Sequence, residues 1–261
     1  MSKNKDFYDS KRAETYAQTV KITDPQKHSF YNLLQQFIGT YSLQDKKCLE
    51  IGSGTTGLFQ DIVPDYTGTD IAESIQSNYR KPYFATNADG TYPFADNSFD
   101  AIWTITVYEH IPELDIALNE IKRILKPEGV VLFAPAWECT SWAADGYPVR
   151  PYSDFRLKGK LIKLSIPIRN ARVFRLLFKI PKRLFRHSLY LLGYRHRKIN
   201  YKKLKPNWEK YWMSDSDACN SIDTHDAILW FESNGFSCLS HPMPWRALTC
   251  HSAQGLVFRK R

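Results

Sequence analysis

The residues around Glu50 are those in this sequence most suited to holding a ligand. An apolar run ends in this carboxylate and turns through Gly52, Gly54 and Gly57. Glycine has no Cβ, so such a loop lets the backbone approach a ligand closely. The spacing also fits a dinucleotide-binding loop, with Asp70 at the distance of a ribose. However, a carboxylate at Glu50 would repel a pyrophosphate and would attract a cationic ligand that carries an amino group.

S-Adenosylmethionine is such a ligand, because it has a sulfonium, an ammonium and a ribose but no phosphate. From about Leu49 to Pro135 the chain resembles the class I S-adenosylmethionine-dependent methyltransferases, and in particular the type-11-like group that acts on small molecules and glycans. Four blocks carry the resemblance in the family's order: Glu50-Ile-Gly-Ser-Gly, Gly68-Thr-Asp70, the run from Asp89 to Asp100, and Glu109-His110 followed by Lys126-Pro-Glu-Gly129. The resemblance implies a methyltransferase with S-adenosylmethionine as its cofactor.

The resemblance also implies which positions bind the cofactor. They are Glu50, Gly52, Ser53, Gly54, Asp70, Ile71, Ala88, Asp89, Thr104 and Val107. Asp70 is expected to accept hydrogen bonds from the ribose hydroxyls, although an aspartate there could instead cap a helix. Asp89 is expected to accept from the adenine amine, but the Asn-Ala-Asp-Gly run around it is also typical of a plain turn.

Three residues are candidates for the base that removes a proton from the acceptor: His110, Glu138 and His251. In the family, the Glu109-His110 pair more often has a structural role, so both interpretations stay open for His110. We predict no metal site. The five cysteines are scattered and never form a C-x-x-C pair, which favours reduced thiols in a cytosolic compartment.

The hydrophobic pattern predicts the α/β elements that position these residues. We expect a doubly wound, seven-stranded, mostly parallel sheet of the Rossmann-like methyltransferase type. Five strands are predicted in the first half of the chain, and an antiparallel hairpin at 236–240 and 255–259 completes the sheet. Helices are predicted at 26–39, after Thr56, at 113–125 and at 224–233, the last capped by Asp223 and ended by Gly235.

A basic insertion follows the fifth strand. Residues 150–207 contain 18 Lys and Arg but a single acid, Asp154, while the rest of the chain is acidic. Large apolar residues alternate with these bases in short amphipathic segments that we expect to be broken at Pro181. Three interpretations remain open: helices that lie on an anionic membrane surface, a surface that binds nucleic acid, or a helical cap with solvated charges. The apolar content favours membrane or lipid over RNA.

These observations predict three regions: an N-terminal lid and cofactor-binding core at 1–139, a basic helical insertion for substrate at 140–212, and a C-terminal helix with edge strands that complete the sheet at 213–261. The lid is what the resemblance implies for residues 1–27, which could instead be a loosely held terminus. The segment from Trp212 onward also resembles methyltransferases found with surface-polysaccharide assembly. No apolar run is long enough to span a membrane, and no apolar signal core follows the N-terminus. We therefore expect a cytoplasmic protein, peripheral at the inner membrane face.

The first hypothesis for its function is O-methylation of a sugar hydroxyl or of another small or lipid-linked acceptor. The alternatives are an RNA methyltransferase, in which the insertion binds RNA, and a cofactor-binding partner module without catalysis.

Overall fold

A computed structural model describes residues 24–207, 215–250 and 255–261 of the chain. Within these ranges the α-helices are α1 (Tyr31–Thr40), α2 (Leu114–Ile124), α3 (Ser141–Ala144), α4 (Leu157–Asn170), α5 (Arg172–Leu191), α6 (Thr224–Ser233) and α7 (Pro244–Thr249). The strands are β1 (Cys48–Ile51), β2 (Tyr66–Asp70), β3 (Tyr83–Ala85), β4 (Phe99–Ile105), β5 (Leu125–Ala134), β6 (Tyr201–Lys203), β7 (Asn220–Ile222), β8 (Phe236–Cys238) and β9 (Leu256–Lys260). Residues 1–23 of the predicted lid, Trp212 and His251 lie outside the described residues.

Seven strands form one sheet in the order β3-β2-β1-β4-β5-β9-β8. The five strands from β3 to β5 are parallel, and β9 pairs antiparallel with both β5 and β8. This confirms the predicted doubly wound sheet with an antiparallel hairpin at its edge. The carboxyl ends of β1, β2, β4 and β5 therefore meet at one edge, where open α/β sheets bind their ligands.

Both faces of the sheet are covered, and successive residues of each strand alternate between them. In β1, Leu49 and Ile51 join the core that α2 and α6 cover. Cys48 of the same strand packs on the opposite face with Trp103 and with side chains of α1. Burial on two faces explains why the central strands read as nearly continuous apolar runs.

The structure corrects two of the predicted helices. The chain after Thr56 forms consecutive turns instead of a helix, with Gln60 N donating to Gly57 O and Ile62 N donating to Phe59 O. Few residues separate the last loop glycine from Pro64, and a helix this short has too few hydrogen bonds to offset its nucleation. The insertion is more helical than predicted, because α5 continues through Pro181 as one helix instead of breaking there.

A small antiparallel pair, β6 with β7, was not predicted. It joins the end of the insertion to the segment that leads into α6. That segment also contacts the loop after β4, because Cys219 N donates to Glu109 O at 2.8 Å. The Asp223 side chain accepts from the N–H groups of His225 and Asp226, which confirms the predicted N-cap of α6.

Candidate functional site

The glycine loop after β1 has one closed side and one open side. Gly52 has a φ of 73°, and a Cβ there would lie 2.0 Å from Cγ2 of Val107, in the loop after β4. Gly54 has a φ of 69°, yet a Cβ there would meet nothing within 4 Å. The first glycine is thus required by packing, and the second opens the loop toward free space. The structure places Gly52 and Val107, two of the predicted cofactor-binding residues, side by side.

Asp70 ties the end of β2 to this loop. One of its carboxylate oxygens accepts from Gly54 N at 3.0 Å, and the other accepts from Ile71 N at 2.7 Å. Ser53 is buried beside them, and its hydroxyl accepts from Tyr79 Oη at 2.8 Å. The structure therefore brings Ser53, Gly54, Asp70 and Ile71 together around one half-buried carboxylate at the ligand-binding edge.

Glu50 is buried beneath the loop, and Tyr66 Oη donates to one of its carboxylate oxygens at 2.5 Å. Burial raises the pKa of Glu50 to about 7, although the hydrogen bond from Tyr66 favours the ionised form. Its charge therefore changes near neutral pH. A cation bound beside Glu50 would stabilise the ionised form and lower this pKa.

Ala88 and Asp89 lie in an exposed turn after β3. One oxygen of the Asp89 carboxylate accepts from both the N–H and the hydroxyl of Thr91, at 2.9 and 2.7 Å. These bonds lower the pKa of Asp89. They also stabilise a turn, which was the alternative interpretation of the Asn-Ala-Asp-Gly run. The role of Asp89 at an adenine ring stays a prediction.

Thr104, near the end of β4, is almost fully buried. Its hydroxyl has no hydrogen-bond partner among the residues that the structure describes. A buried hydroxyl without a partner costs free energy, and this one is shielded from solvent. At the same edge, the open side of Gly54 leaves room for an adenosyl-type ligand and the Asp70 carboxylate offers it hydrogen-bond acceptors.

His110 lies between carboxylates. Its Nδ1 is 3.3 Å from Asp217 and its Nε2 is 3.4 Å from Glu109. Burial alone would lower the pKa of His110, but the carboxylates of Glu109, Asp217 and Asp215 outweigh it and raise the pKa to about 9. The imidazole is therefore protonated at neutral pH, which suits a donor better than a base. Its catalytic role stays a prediction.

Ligand atoms of Glu109, His110 and Asp215 lie within 4.8 Å of one another, a separation that a metal ion could bridge. In the structure, His110 joins the loop after β4 to the 215–217 turn through an ion network with Glu109 and Asp217. Sequence reasoning missed this network because its two halves are far apart in the chain.

Glu138 follows β5 and lies in a cleft of about 340 Å³. It has a φ of 60°, and its N–H donates to Ile222 O at 3.0 Å. Its carboxylate pairs with Lys179 and lies 3.4 Å from Nη1 of Arg175. The predicted base is thus a buried carboxylate surrounded by cations of α5. The structure does not test the catalytic role of Glu138, nor that of His251.

Residues 49–133 match a family model described as a methyltransferase domain. Over 161 residues the chain is 26% identical to phthiotriol/phenolphthiotriol dimycocerosates methyltransferase 1 of Mycobacterium ulcerans, an alignment that covers 56% of this chain and 59% of that protein. Over 99 residues it is 31% identical to the sterol 24-C-methyltransferase ERG6B of Gibberella zeae, covering 32% of this chain and 26% of that protein.

Among solved structures, phosphoethanolamine N-methyltransferase 2 of Haemonchus contortus, in complex with S-adenosylmethionine, is 22% identical. That alignment has a TM-score of 0.38 and covers 51% of this chain and 35% of the other. The chain therefore spans less than two thirds of the length of each of these relatives.

Proposed function

Because this chain carries a class I S-adenosylmethionine-dependent methyltransferase domain, we propose that it transfers a methyl group from that cofactor to a hydroxyl of a lipid or lipid-linked acceptor, such as a lipid-linked sugar. The observation that carries the transfer is the match of residues 49–133 to a methyltransferase domain, on a sheet whose carboxyl edge holds the glycine loop and Asp70. The acceptor class rests on the two helices of the insertion.

In this proposal, S-adenosylmethionine supplies an electrophilic methyl group on its sulfonium. Asp70 holds the ribose, Glu50 attracts the ammonium, and Ala88 and Asp89 contact the adenine. The backbone from Thr104 to Val107 runs along the methionine part. These residues act by positioning, which can supply most of the rate enhancement of a two-substrate reaction. The acceptor proton leaves late, and Glu138 is our first candidate to accept it because its carboxylate lines the cleft.

The acceptor class rests on helix α5, whose apolar side is exposed instead of buried. Val173, Leu177, Leu184 and Leu191 of α5 lie along one side, and each is exposed, Leu177 by 66%. Arg183, about 100° around the helix from Leu184, is buried and pairs with Asp223 at the start of α6. Helices of globular proteins normally turn their apolar side inward, so this arrangement is typical of a helix that faces an apolar surrounding.

Helix α4 has the same character. Leu157, Leu161, Leu164 and Ile168 recur at helical spacing, and all four are exposed. Basic residues lie between them, and each Lys or Arg near an anionic leaflet contributes about 1 kcal/mol to membrane attachment. We therefore propose that α4 and α5 lie on an anionic membrane and that the protein is peripheral. Within the described residues, no helix combines the length and apolarity that a membrane span requires.

The relatives agree with this acceptor class, since two of them are named for dimycocerosates and for a sterol. RNA is a second candidate acceptor because residues 150–207 are so strongly basic. The long exposed apolar rows favour lipid, because surfaces that bind nucleic acid combine bases with polar groups.

The enzymatic part is tested by calorimetry and by methyl transfer. We expect purified protein to bind S-adenosylmethionine and to transfer labelled methyl to a membrane-lipid extract. Asp70→Ala should abolish both. Asp65→Ala, at the amino end of the same strand, is the matched control and should keep both. Equal cofactor binding by Asp70→Ala and the original protein would refute the site.

The membrane part is tested by sedimentation with vesicles that contain phosphatidylglycerol. We expect the double variant Leu177→Ser/Phe185→Ser to bind at least about tenfold more weakly, since burying each apolar side chain contributes roughly 2 kcal/mol. The control Val149→Ser/Met243→Ser removes two apolar residues outside α4 and α5 that are about half exposed. Equal losses in the two double variants, or equal binding to neutral vesicles, would contradict a specific membrane face.

A further inference from the structure

The cleft around Glu138 contains far more positive than negative charge. Helix α5 contributes five cations to its wall: Arg175, Lys179, Lys182, Arg183 and Arg186. Arg169 of α4 and Lys202 of β6 complete the set. Within the part of the chain that the structure describes, three carboxylates line the same cleft, those of Glu138, Asp223 and Asp226. Four positive charges are therefore left in excess.

Some of the cations are held by the protein itself. Arg183 is 3% exposed and makes two hydrogen bonds with the Asp223 carboxylate, at 2.9 and 3.1 Å. Arg186 pairs with Asp226, where Nε donates to the carboxylate at 2.5 Å. These two arginines anchor α5 to the start of α6. They hold the wall of the cleft in place, and they neutralise two of its three carboxylates.

Lys179 and Arg175 pair with Glu138, which leaves Lys182, Lys202 and Arg169 outside these ion pairs. Neither Lys182 nor Lys202 has a carboxylate within ion-pair distance in the ranges that the structure describes. Arg169 also lines the cleft, and its guanidinium lies 5.9 Å from the centre of the Trp142 ring. Like charges at such proximity repel one another, so an anion with several charges would stabilise the arrangement.

The cleft is also continuous with the apolar side of α5. Phe178 lines the cleft and is 69% exposed, so its ring borders both surfaces. A molecule with a charged head and an apolar tail could therefore occupy both at once. The cleft volume of about 340 Å³ lies within the range of small-ligand sites and accommodates a diphosphate with part of an attached group.

We propose that this cleft binds the phosphate or diphosphate group of the methyl acceptor, through Lys182, Lys202 and the guanidinium groups beside them. Arginine and lysine are the side chains best suited to phosphate oxygens, arginine as a fork and lysine as a point charge. This inference rests on the proposed function, because it names a chemical group of the acceptor. The anion holds the acceptor at the edge of the sheet where Glu138 and the glycine loop lie.

Inorganic pyrophosphate is the first probe, measured by calorimetry on the whole chain. We expect saturable binding that weakens with added salt. The double variant Lys182→Gln/Lys202→Gln should lower the affinity at least about tenfold, the usual effect of losing hydrogen bonds to a charged group. Lys158→Gln/Lys198→Gln removes two exposed lysines outside the cleft and should keep the affinity within about twofold.

Competition distinguishes the possible sources of the anion. Displacement of pyrophosphate by a polyprenyl diphosphate in phosphatidylcholine vesicles would assign the site to a lipid-linked acceptor. Displacement by a soluble nucleoside diphosphate sugar alone would assign it to a soluble one, and both results support the anion site.

Absence of saturable pyrophosphate binding, or equal losses in the two double variants, would overturn the inference. A much tighter affinity for an RNA hairpin, lost in Lys182→Gln/Lys202→Gln, would replace it with an RNA groove. S-Adenosylmethionine binding is measured on the same samples. If the original protein binds the cofactor but not pyrophosphate, the result counts against this inference alone, whereas absence of cofactor binding counts against the proposed function.

Discussion

Replacing Glu50 with glutamine should make the protein more stable and its cofactor binding weaker. The carboxylate is buried, and burial raises its pKa from 4.5 to about 7. One pKa unit corresponds to about 1.4 kcal/mol, so ionised Glu50 lowers the free energy of unfolding by about 3 kcal/mol. Glutamine has the same shape, can still accept from Tyr66 and carries no charge.

The sign and the pH window follow from linkage. A group whose pKa is raised in the folded state favours folding below its unfolded pKa and loses this contribution as pH rises through the folded pKa. For Glu50 the loss begins near pH 4.5 and is complete above about pH 7. We therefore expect Glu50→Gln to be more stable by about 1 kcal/mol at pH 5.5 and by about 3 kcal/mol at pH 8.5.

Urea unfolding of the two proteins at these pH values is the assay. Glu120→Gln is a control of opposite sign, because hydrogen bonds from Arg123 lower the pKa of Glu120, so this variant should be less stable at neutral pH. A Glu50→Gln variant that is less stable, or whose advantage does not grow with pH, would refute the reasoning about burial.

The same variant tests the proposed role of Glu50 at the cofactor. A cation beside Glu50 binds the ionised form, so the affinity of the original protein for S-adenosylmethionine should rise between pH 6 and 8. In Glu50→Gln that rise should vanish, and the affinity at pH 8 should fall about tenfold or more. An unchanged affinity, measured by calorimetry, would leave Glu50 with a purely structural role.

Gly52→Ala should lower the free energy of unfolding by about 3 kcal/mol in urea denaturation, because the φ of Gly52 is 73° and the added Cβ would collide with Val107. The double variant Gly52→Ala/Val107→Ala should recover part of this loss. Gly54→Ala should cost only about 1 kcal/mol but should weaken cofactor binding, since its methyl group points into the open side of the loop. His110→Gln should be less stable than the original protein at pH 6 by about 3 kcal/mol, and this difference should disappear as pH rises from 6.5 through 9, where His110 loses its proton. A difference for His110→Gln that is constant over this range would argue against the ion network.

The parts of the fold that the sequence predicted are those with local causes. Strands β1 and β4 are mostly apolar runs, and the carboxyl ends of β2 and β4 place Asp70 and Thr104 at one edge. Helix α6 was predicted from its apolar spacing, its Asp223 cap and Gly235, all within a dozen neighbouring positions. Each of these signals depends on residues that are adjacent in the chain, so no knowledge of the tertiary structure was needed.

The features that were missed depend on distant contacts. Helix α5 continues through Pro181 although the residue lacks an N–H, because anchors such as Arg183 with Asp223 hold the helix on both sides of it. The ion network of His110 needs Asp217, and the charge of the cleft needs β6 and the start of α6. The bases of the insertion were visible in the sequence, but their concentration around Glu138 was not.

The central claim is methyl transfer to a lipid or lipid-linked acceptor, and its most direct test is transfer of labelled methyl from S-adenosylmethionine into a lysate of the source organism. The lysate is afterwards separated into lipid, glycan, RNA, protein and small-molecule fractions. We predict label in the lipid or glycan fraction with the original protein and with Asp65→Ala, and none with Asp70→Ala. Label in RNA, or no enzyme-dependent label in any fraction while cofactor binding is intact, would contradict the account.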